Sequence, residues 1–147
     1  MIIAVGSDHA GYEGDPPQFK PAIMQHLQSL GHEVVDCGTN GPESVDYPDF
    51  ANAVCAEILA GRAEKGILIC GTGIGVSITA NRHPSIRAAA CATPDMARLS
   101  REHNDANILC LGKRILPLDQ AIELIDVWLA ASFSGGERHC RRIEKMG

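Results

Sequence analysis

Short apolar runs alternate with stretches of helical spacing along the whole chain. Ile2-Ile3-Ala4-Val5-Gly6, Glu33-Val34-Val35-Asp36, Gly66-Ile67-Leu68-Ile69-Cys70, Arg87-Ala88-Ala89-Ala90-Cys91 and Asn107-Ile108-Leu109-Cys110-Leu111 each have the length and content of a strand. The third and fifth runs are almost wholly apolar, as parallel strands covered on both faces should be. Helical patterns fill the gaps. The first places Pro21 at a first helical position, puts Ile23, Leu27 and Leu30 on one face and stops at Gly31. In the second, Phe50, Val54, Ile58 and Leu59 line up before Gly61. A third begins near Ile74, a fourth runs from Pro94 through Met96 to Leu99, and a fifth covers Leu118 to Ala131. Ser134-Gly135-Gly136 then breaks the chain ahead of a short basic tail of helical character.

Repeated strand–helix–strand units with short connections predict a three-layer α/β/α sandwich, Rossmann-like, with a five-stranded parallel sheet. One domain over residues 1–147 is long enough to bury a proper core. Such sheets bind ligands beyond the carboxyl ends of their strands. Function is therefore expected in Ser7-Asp8-His9, Cys37-Gly38-Thr39, Gly71-Thr72-Gly73-Ile74-Gly75, Ala92-Thr93 and Gly112 to Arg114.

Composition narrows the classes. With 45% hydrophobic and 21% charged residues the chain is an ordinary globular one. A net charge of -5 argues against a nucleic-acid partner. No apolar run reaches the roughly 18 residues of a membrane span, and Met1 leads straight into apolar residues without a basic leader. The six cysteines stand at least 15 positions apart, which is neither a zinc spacing nor a disulfide framework. They suit a reducing compartment, and a cytoplasmic protein without metal or cofactor is expected. Arg138, Arg141, Arg142 and Lys145 crowd the end of an acidic chain, which points to a small anionic ligand rather than a polymer.

Individual motifs leave alternatives open. Cys70-Gly71-Thr72-Gly73-Ile74-Gly75-Val76-Ser77 carries three glycines at alternate positions ahead of a helix. Such a loop can hold a phosphate or a reaction oxyanion, or it can be a tight turn. It lacks the G-x-G-x-x-G spacing of a dinucleotide site. Cys70, at a strand end facing a helix start, could be an activated thiol or a buried core residue. Asp8-His9 and His103-Asn104-Asp105 follow a strand and a helix respectively, and each histidine could move protons or be merely structural. Arg138 and Arg142 lie four apart, a spacing that suits a phosphate clamp or a solvated turn.

Taken in order, Gly6-Ser7-Asp8-His9-Ala10-Gly11-Tyr12, Asp46-Tyr47-Pro48, Ile67 to Gly75, Leu99 to Asn107 and Gly135-Gly136-Glu137-Arg138-His139 resemble the ribose-5-phosphate isomerase B family over nearly the whole chain. That family also includes galactose-6-phosphate isomerase subunits and allose-6-phosphate isomerases. The resemblance implies aldose–ketose isomerisation of a sugar phosphate through an enediolate, with ribose 5-phosphate to ribulose 5-phosphate as the expected reaction. Cys70 matches the base that takes the C2 proton, and Thr72 a residue that assists transfer between O1 and O2. The amides of the loop that includes Gly71, Gly73 and Gly75 match the cradle of the enediolate oxygens. His103 matches the ring-opening residue, aided by Asp8. Tyr47 and Asn104 match contacts to sugar hydroxyls, and His9, Arg114, Arg138 and Arg142 match phosphate ligands. The resemblance further implies that His103, Asn104 and Arg114 reach in from a second subunit, so a homodimer is the smallest active unit and dimers pairing into a tetramer remain open.

One branch of the family carries glutamate at the position of Val76 and lacks the cysteine. This chain has Val76 and Cys70 and groups with the cysteine users. It departs from the family in two places. Glu13-Gly14-Asp15-Pro16-Pro17 reads as an insertion behind Asp8-His9 able to reshape the pocket rim, and Glu137 intrudes beside the arginines, where it should point away. Two rival readings stand beside the main one: the same chemistry on a six-carbon sugar phosphate, and a non-catalytic phosphate- or nucleotide-binding module.

Overall fold

The computed structural model describes residues 1–147. Its strands are β1 (Ile2–Ser7), β2 (Glu33–Asp36), β3 (Lys65–Cys70), β4 (Ala88–Ala90) and β5 (Ile108–Gly112), and its helices are α1 (Phe19–Ser29), α2 (Tyr47–Leu59), α3 (Ile74–Ala80), α4 (Pro94–Asn104), α5 (Leu118–Ala130) and α6 (Glu137–Met146). A single 3-10 turn, His9–Tyr12, follows β1. All strand pairs are parallel and the order across the sheet is β2-β1-β3-β5-β4. The expected three-layer sandwich with five parallel strands is the fold.

Alternation along the strands builds two cores. Ile3 and Val5, Ile67 and Ile69, and Leu109 and Leu111 face α1, α4 and α5, where Phe19, Ile23, Leu27, Ala97, Leu124 and Trp128 are buried. Ala4, Leu68, Cys70, Ile108 and Cys110 face α2 and α3, meeting Ala51, Val54, Cys55, Val76 and Ala80. The second layer sits close because the sheet is small there. A methyl group at Gly66 would come within 2.6 Å of Val54 Cγ1. No helix is long and apolar enough to cross a membrane.

Two boundaries depart from the sequence reading. α1 starts at Phe19, so Pro21 is its third residue rather than its first. It still lies in the opening turn, where a helix has no use for the missing N–H. β4 shrinks to three residues because it is an edge strand whose pairing is supplied by a side chain. Asn81 accepts from the Ala88 N–H at 2.8 Å and donates to the Ala88 carbonyl at 2.9 Å. That contact blunts the open edge. The basic tail forms the ten-residue α6, which buries none of its residues. Its approach is tethered by the Ser134 N–H, which donates to the Glu102 carbonyl at 3.1 Å.

Candidate active site

Cys70 ends β3 on the α2–α3 side of the sheet and is 5% exposed. The chain then turns through Gly71 and Thr72 into Gly73, whose φ of +78° belongs to the left-handed region that glycine adopts without strain. This turn brings the Gly73 N–H back onto the Cys70 sulfur at 3.2 Å, and the Ile74 N–H onto Thr72 Oγ1 at 3.2 Å. Two loop amides are thus spent inside the loop, which narrows the expected oxyanion cradle to the remaining ones. The same contacts orient the expected reactive groups: the sulfur has an amide dipole aimed at it, and the Thr72 hydroxyl, acting as acceptor for Ile74, keeps its own proton free to donate. Gly75 opens α3, and a methyl group there would meet the Tyr47 ring at 2.6 Å, so Tyr47 lies directly on the loop.

The end of β1 adds two more groups at this edge. Asp8 is 6% exposed, and its Oδ1 accepts from the Ala10 N–H at 2.9 Å, capping the 3-10 turn. His9 Nδ1 accepts from the Val45 N–H at 3.2 Å. A backbone N–H can only donate, so the ring proton sits on Nε2, which makes that nitrogen a donor. Arg114 completes the group. Its N–H donates to the Gly71 carbonyl at 2.9 Å, and its Nη1 lies 3.0 Å from where a Gly71 Cβ would stand. Its pKa is raised, first by the hydrogen bond it donates to Glu13 and to a smaller extent by nearby Asp8 and Cys70. Arg114 therefore lies beside the Cys70 loop of its own chain. The reason is the short turn at the end of β5, which folds the side chain back over the β3 loop.

Glu13 is where the expected insertion meets the site. Its carboxylate takes the Arg114 Nε–H at 3.2 Å, pairs with Arg114 Nη2, and lies 3.8 Å from Lys113 Nζ. Sequence reasoning missed this role because the partners are a hundred residues apart. Lys20 was also missed. It is fully buried, and its ammonium donates to Asp36 Oδ1 at 2.5 Å, the Thr39 carbonyl at 2.7 Å and Asn40 Oδ1 at 3.1 Å. It thereby ties α1 to the loop leaving β2. A lysine three positions from Ile23 on an otherwise apolar helix face was the available signal.

The other expected residues lie elsewhere. α4 runs antiparallel to the strands, so its last turn, with His103 and Asn104, reaches the amino edge of the sheet while Cys70 stands at the carboxyl edge. Strands of five or six residues separate those edges by roughly 15–20 Å. At the amino edge a cavity of about 620 Å³ is lined by His103, Ser134, Arg138, His139 and Arg141, together with Glu102 and Glu137. The His103 and His139 rings stack with centroids 4.4 Å apart. Burial, then the neighbouring His103, Arg138 and Arg142, lower the His139 pKa, so Arg142 belongs to this cluster as well. Glu137 is among the residues that line this cavity. The single chain thus separates the expected residues into two groups: Asp8, His9, Tyr47, Cys70, Thr72, the glycine loop and Arg114 at one edge, and His103, Asn104, Arg138 and Arg142 at the other.

A parallel sandwich with a thiol under a glycine loop and paired arginines is the architecture of a small α/β enzyme acting on an anionic substrate. The chain belongs to the ribose/galactose isomerase family, whose model matches residues 3–146. It is 45% identical over 144 residues to ribose-5-phosphate isomerase B of Escherichia coli strain K12, covering 98% of this chain and 93% of that one. It is also 45% identical to a putative sugar phosphate isomerase of Rickettsia bellii, covering 98% and 96%. Among solved structures, ribose-5-phosphate isomerase B of Clostridium thermocellum superposes with a TM-score of 0.94 at 52% identity, covering 100% of this chain and 95% of the other. The Thermotoga maritima ribose 5-phosphate isomerase does so with 0.92 at 50%, covering 99% and 96%.

Proposed function

We propose that this isomerase interconverts ribose 5-phosphate and ribulose 5-phosphate, with Cys70 as the base. The observation that carries the reading is the Cys70 sulfur beneath the Gly73 amide, with Thr72, Tyr47, Asp8 and His9 at the same strand ends. The thiolate removes the proton from C2 of the open-chain aldose. The C2–H electron pair forms the C1–C2 double bond, and the carbonyl pair moves onto O1, giving the enediolate. Thr72 assists the proton exchange between O2 and O1, and the thiol returns its proton to C1. His9, through Nε2–H, and Arg114 hold the phosphate.

His103 opens the furanose ring and Asn104 contacts a hydroxyl, but only from a second copy, because the sheet keeps them away from Cys70 of their own chain. On this reading His103 and Asn104 travel with Arg138 and Arg142, while Arg114 serves the site of Cys70 in its own chain. Two further features support a homodimer. α6 has no buried residue although a ten-residue helix is marginal without packing, and Ile74 and Ile78, one turn apart beside the site, are 56% and 55% exposed.

Cys70→Ala should abolish turnover on ribose 5-phosphate while leaving inorganic phosphate binding nearly intact. Activity retained within about tenfold, roughly 1.4 kcal/mol of barrier, overturns the assignment. Parallel assays on allose 6-phosphate and galactose 6-phosphate decide between five- and six-carbon sugars. Full phosphate binding with no turnover by the unmodified protein on any of the three would favour a binding module.

A further inference from the structure

Arg114 presents two edges. The Cδ–Nη1 edge packs on Gly71, where a Cβ would sit 3.5 Å from Cδ and 3.0 Å from Nη1. The Nε–Nη2 edge, the fork that suits a two-oxygen anion, is taken by both oxygens of Glu13. The same carboxylate lies 3.8 Å from Lys113 Nζ. Its pKa is lowered, chiefly by the hydrogen bond from Arg114, with smaller contributions from Lys113 and His9. Glu13 is therefore ionised at neutral pH and stands beside Arg114 and His9, the two groups that the proposed function gives to the substrate's phosphate. Two anions cannot share one fork without mutual repulsion at close range. The segment that carries Glu13 can yield, because Gly14 through Pro17 are exposed and Gly14 has open space around it at a φ of +80°. The segment is held at its start by the Glu13 N–H, which donates to the Ala10 carbonyl at 3.3 Å, and at its end by Gln18, donating to the Tyr12 and Gly14 carbonyls at 2.9 and 3.1 Å.

We propose that Glu13 is an intramolecular competitor of the substrate's phosphate for the Nε–Nη2 edge of Arg114, and so sets the affinity of the phosphate end of the site. Phosphate entry displaces the carboxylate toward solvent, and the carboxylate takes the guanidinium back as product leaves. The inference rests on Arg114 being a phosphate ligand in the proposed function.

Calorimetric titration of the full-length protein with inorganic phosphate, at fixed pH and ionic strength, tests both layers separately. Glu13→Gln keeps the shape and removes the charge. It should bind phosphate more tightly, by up to about fivefold, the range of an exposed ion pair, and KM for ribose 5-phosphate should fall in parallel. Arg114→Ala should weaken phosphate binding by roughly tenfold or more, and Glu13→Gln added to Arg114→Ala should have no further effect. If Arg114→Ala loses affinity while Glu13→Gln leaves it unchanged or weaker, Glu13 aims the arginine rather than competing for it, and the inference falls alone. If Arg114→Ala binds phosphate as tightly as the unmodified protein, the phosphate role of Arg114 falls and the inference with it.

Discussion

At the scale of single residues, four thiols are held away from reaction. Burial is the first cause in each case, and it pushes Cys37, Cys55 and Cys91 up to about 11 and raises Cys110 as well. The folded thiols keep their protons more tightly than the unfolded ones. Their contribution to stability is therefore complete below the unfolded value of about 9 and is lost as pH rises toward 11. Each two-unit shift corresponds to about 2–3 kcal/mol at its limit, so the urea midpoint should fall between pH 9 and pH 11. Cys55→Ala and Cys91→Ala should flatten that fall, and an unchanged slope in both variants would refute the account. Lys20 gives the opposite kind of test. Lys20→Met keeps the buried stem but strips the Asp36 carboxylate and the Thr39 carbonyl of their donor. Asp36 is 34% exposed and recovers some hydration, so a loss of about 2–3 kcal/mol in urea denaturation is expected, below the full cost of breaking a buried pair. Cys70 was legible as a candidate from its place at a strand end ahead of glycines. Lys20 was not, because a buried lysine and a solvated one look alike until its three acceptors are in view.

At the scale of elements, period-two and period-3.6 patterns located all five strands and five of the six helices within a few residues, and the tail helix was foreseen in character. What they left out is who neighbours whom. Nothing in Arg87-Ala88-Ala89-Ala90-Cys91 tells that it forms the edge while the later Asn107–Leu111 run lies inside, since both are apolar and the difference is made by Asn81 pairing with Ala88 from outside. The end of α4 shows how an element aims a functional group. Asp105 turns the chain at φ +46°, with its carboxylate on Arg101 at 2.8 Å and Arg87 at 3.4 Å, while Arg87 Nε donates to the Asn104 carbonyl at 2.9 Å. Asn tolerates this left-handed conformation almost as well as Asp, so Asp105→Asn isolates the charge. It should cost about 1–2 kcal/mol by removing charge-assisted bonds from the nearly buried Arg101. Asp105→Gly relieves the backbone as well. If the glycine variant matches the unmodified protein in urea denaturation, backbone strain rather than the two ion pairs governs this turn.

At the scale of the whole molecule, the length of the strands keeps the two groups of residues apart. A parallel sheet puts every strand's carboxyl end on one edge and every helix's carboxyl end near the other, so Cys70 and His103 of one chain are held apart by the length of the strands between them. Order along the chain hid this, and it also hid that Arg114 stays with Cys70 while Arg138 stays with His103. A two-fold dimer would set the amino edge of one copy against the carboxyl edge of the other twice, giving two equivalent sites. Cys70→Ala and His103→Ala, each inactive alone on ribose 5-phosphate, should then complement when mixed and allowed to exchange subunits. In a mixed dimer one site carries both defects and the other carries neither. Random reassortment makes about half of all dimers mixed, and one of the two sites in each works, so roughly a quarter of the unmodified activity should return. Cys70→Ala mixed with Arg114→Ala serves as the internal control. Those residues share a half-site, so every site in the mixed dimer retains one defect and no activity should return. Recovery in the first mixture but not the second would fix the division of the site between chains. A first mixture that forms heterodimers by native mass spectrometry yet stays inactive would mean that His103 does not act on the Cys70 of its partner.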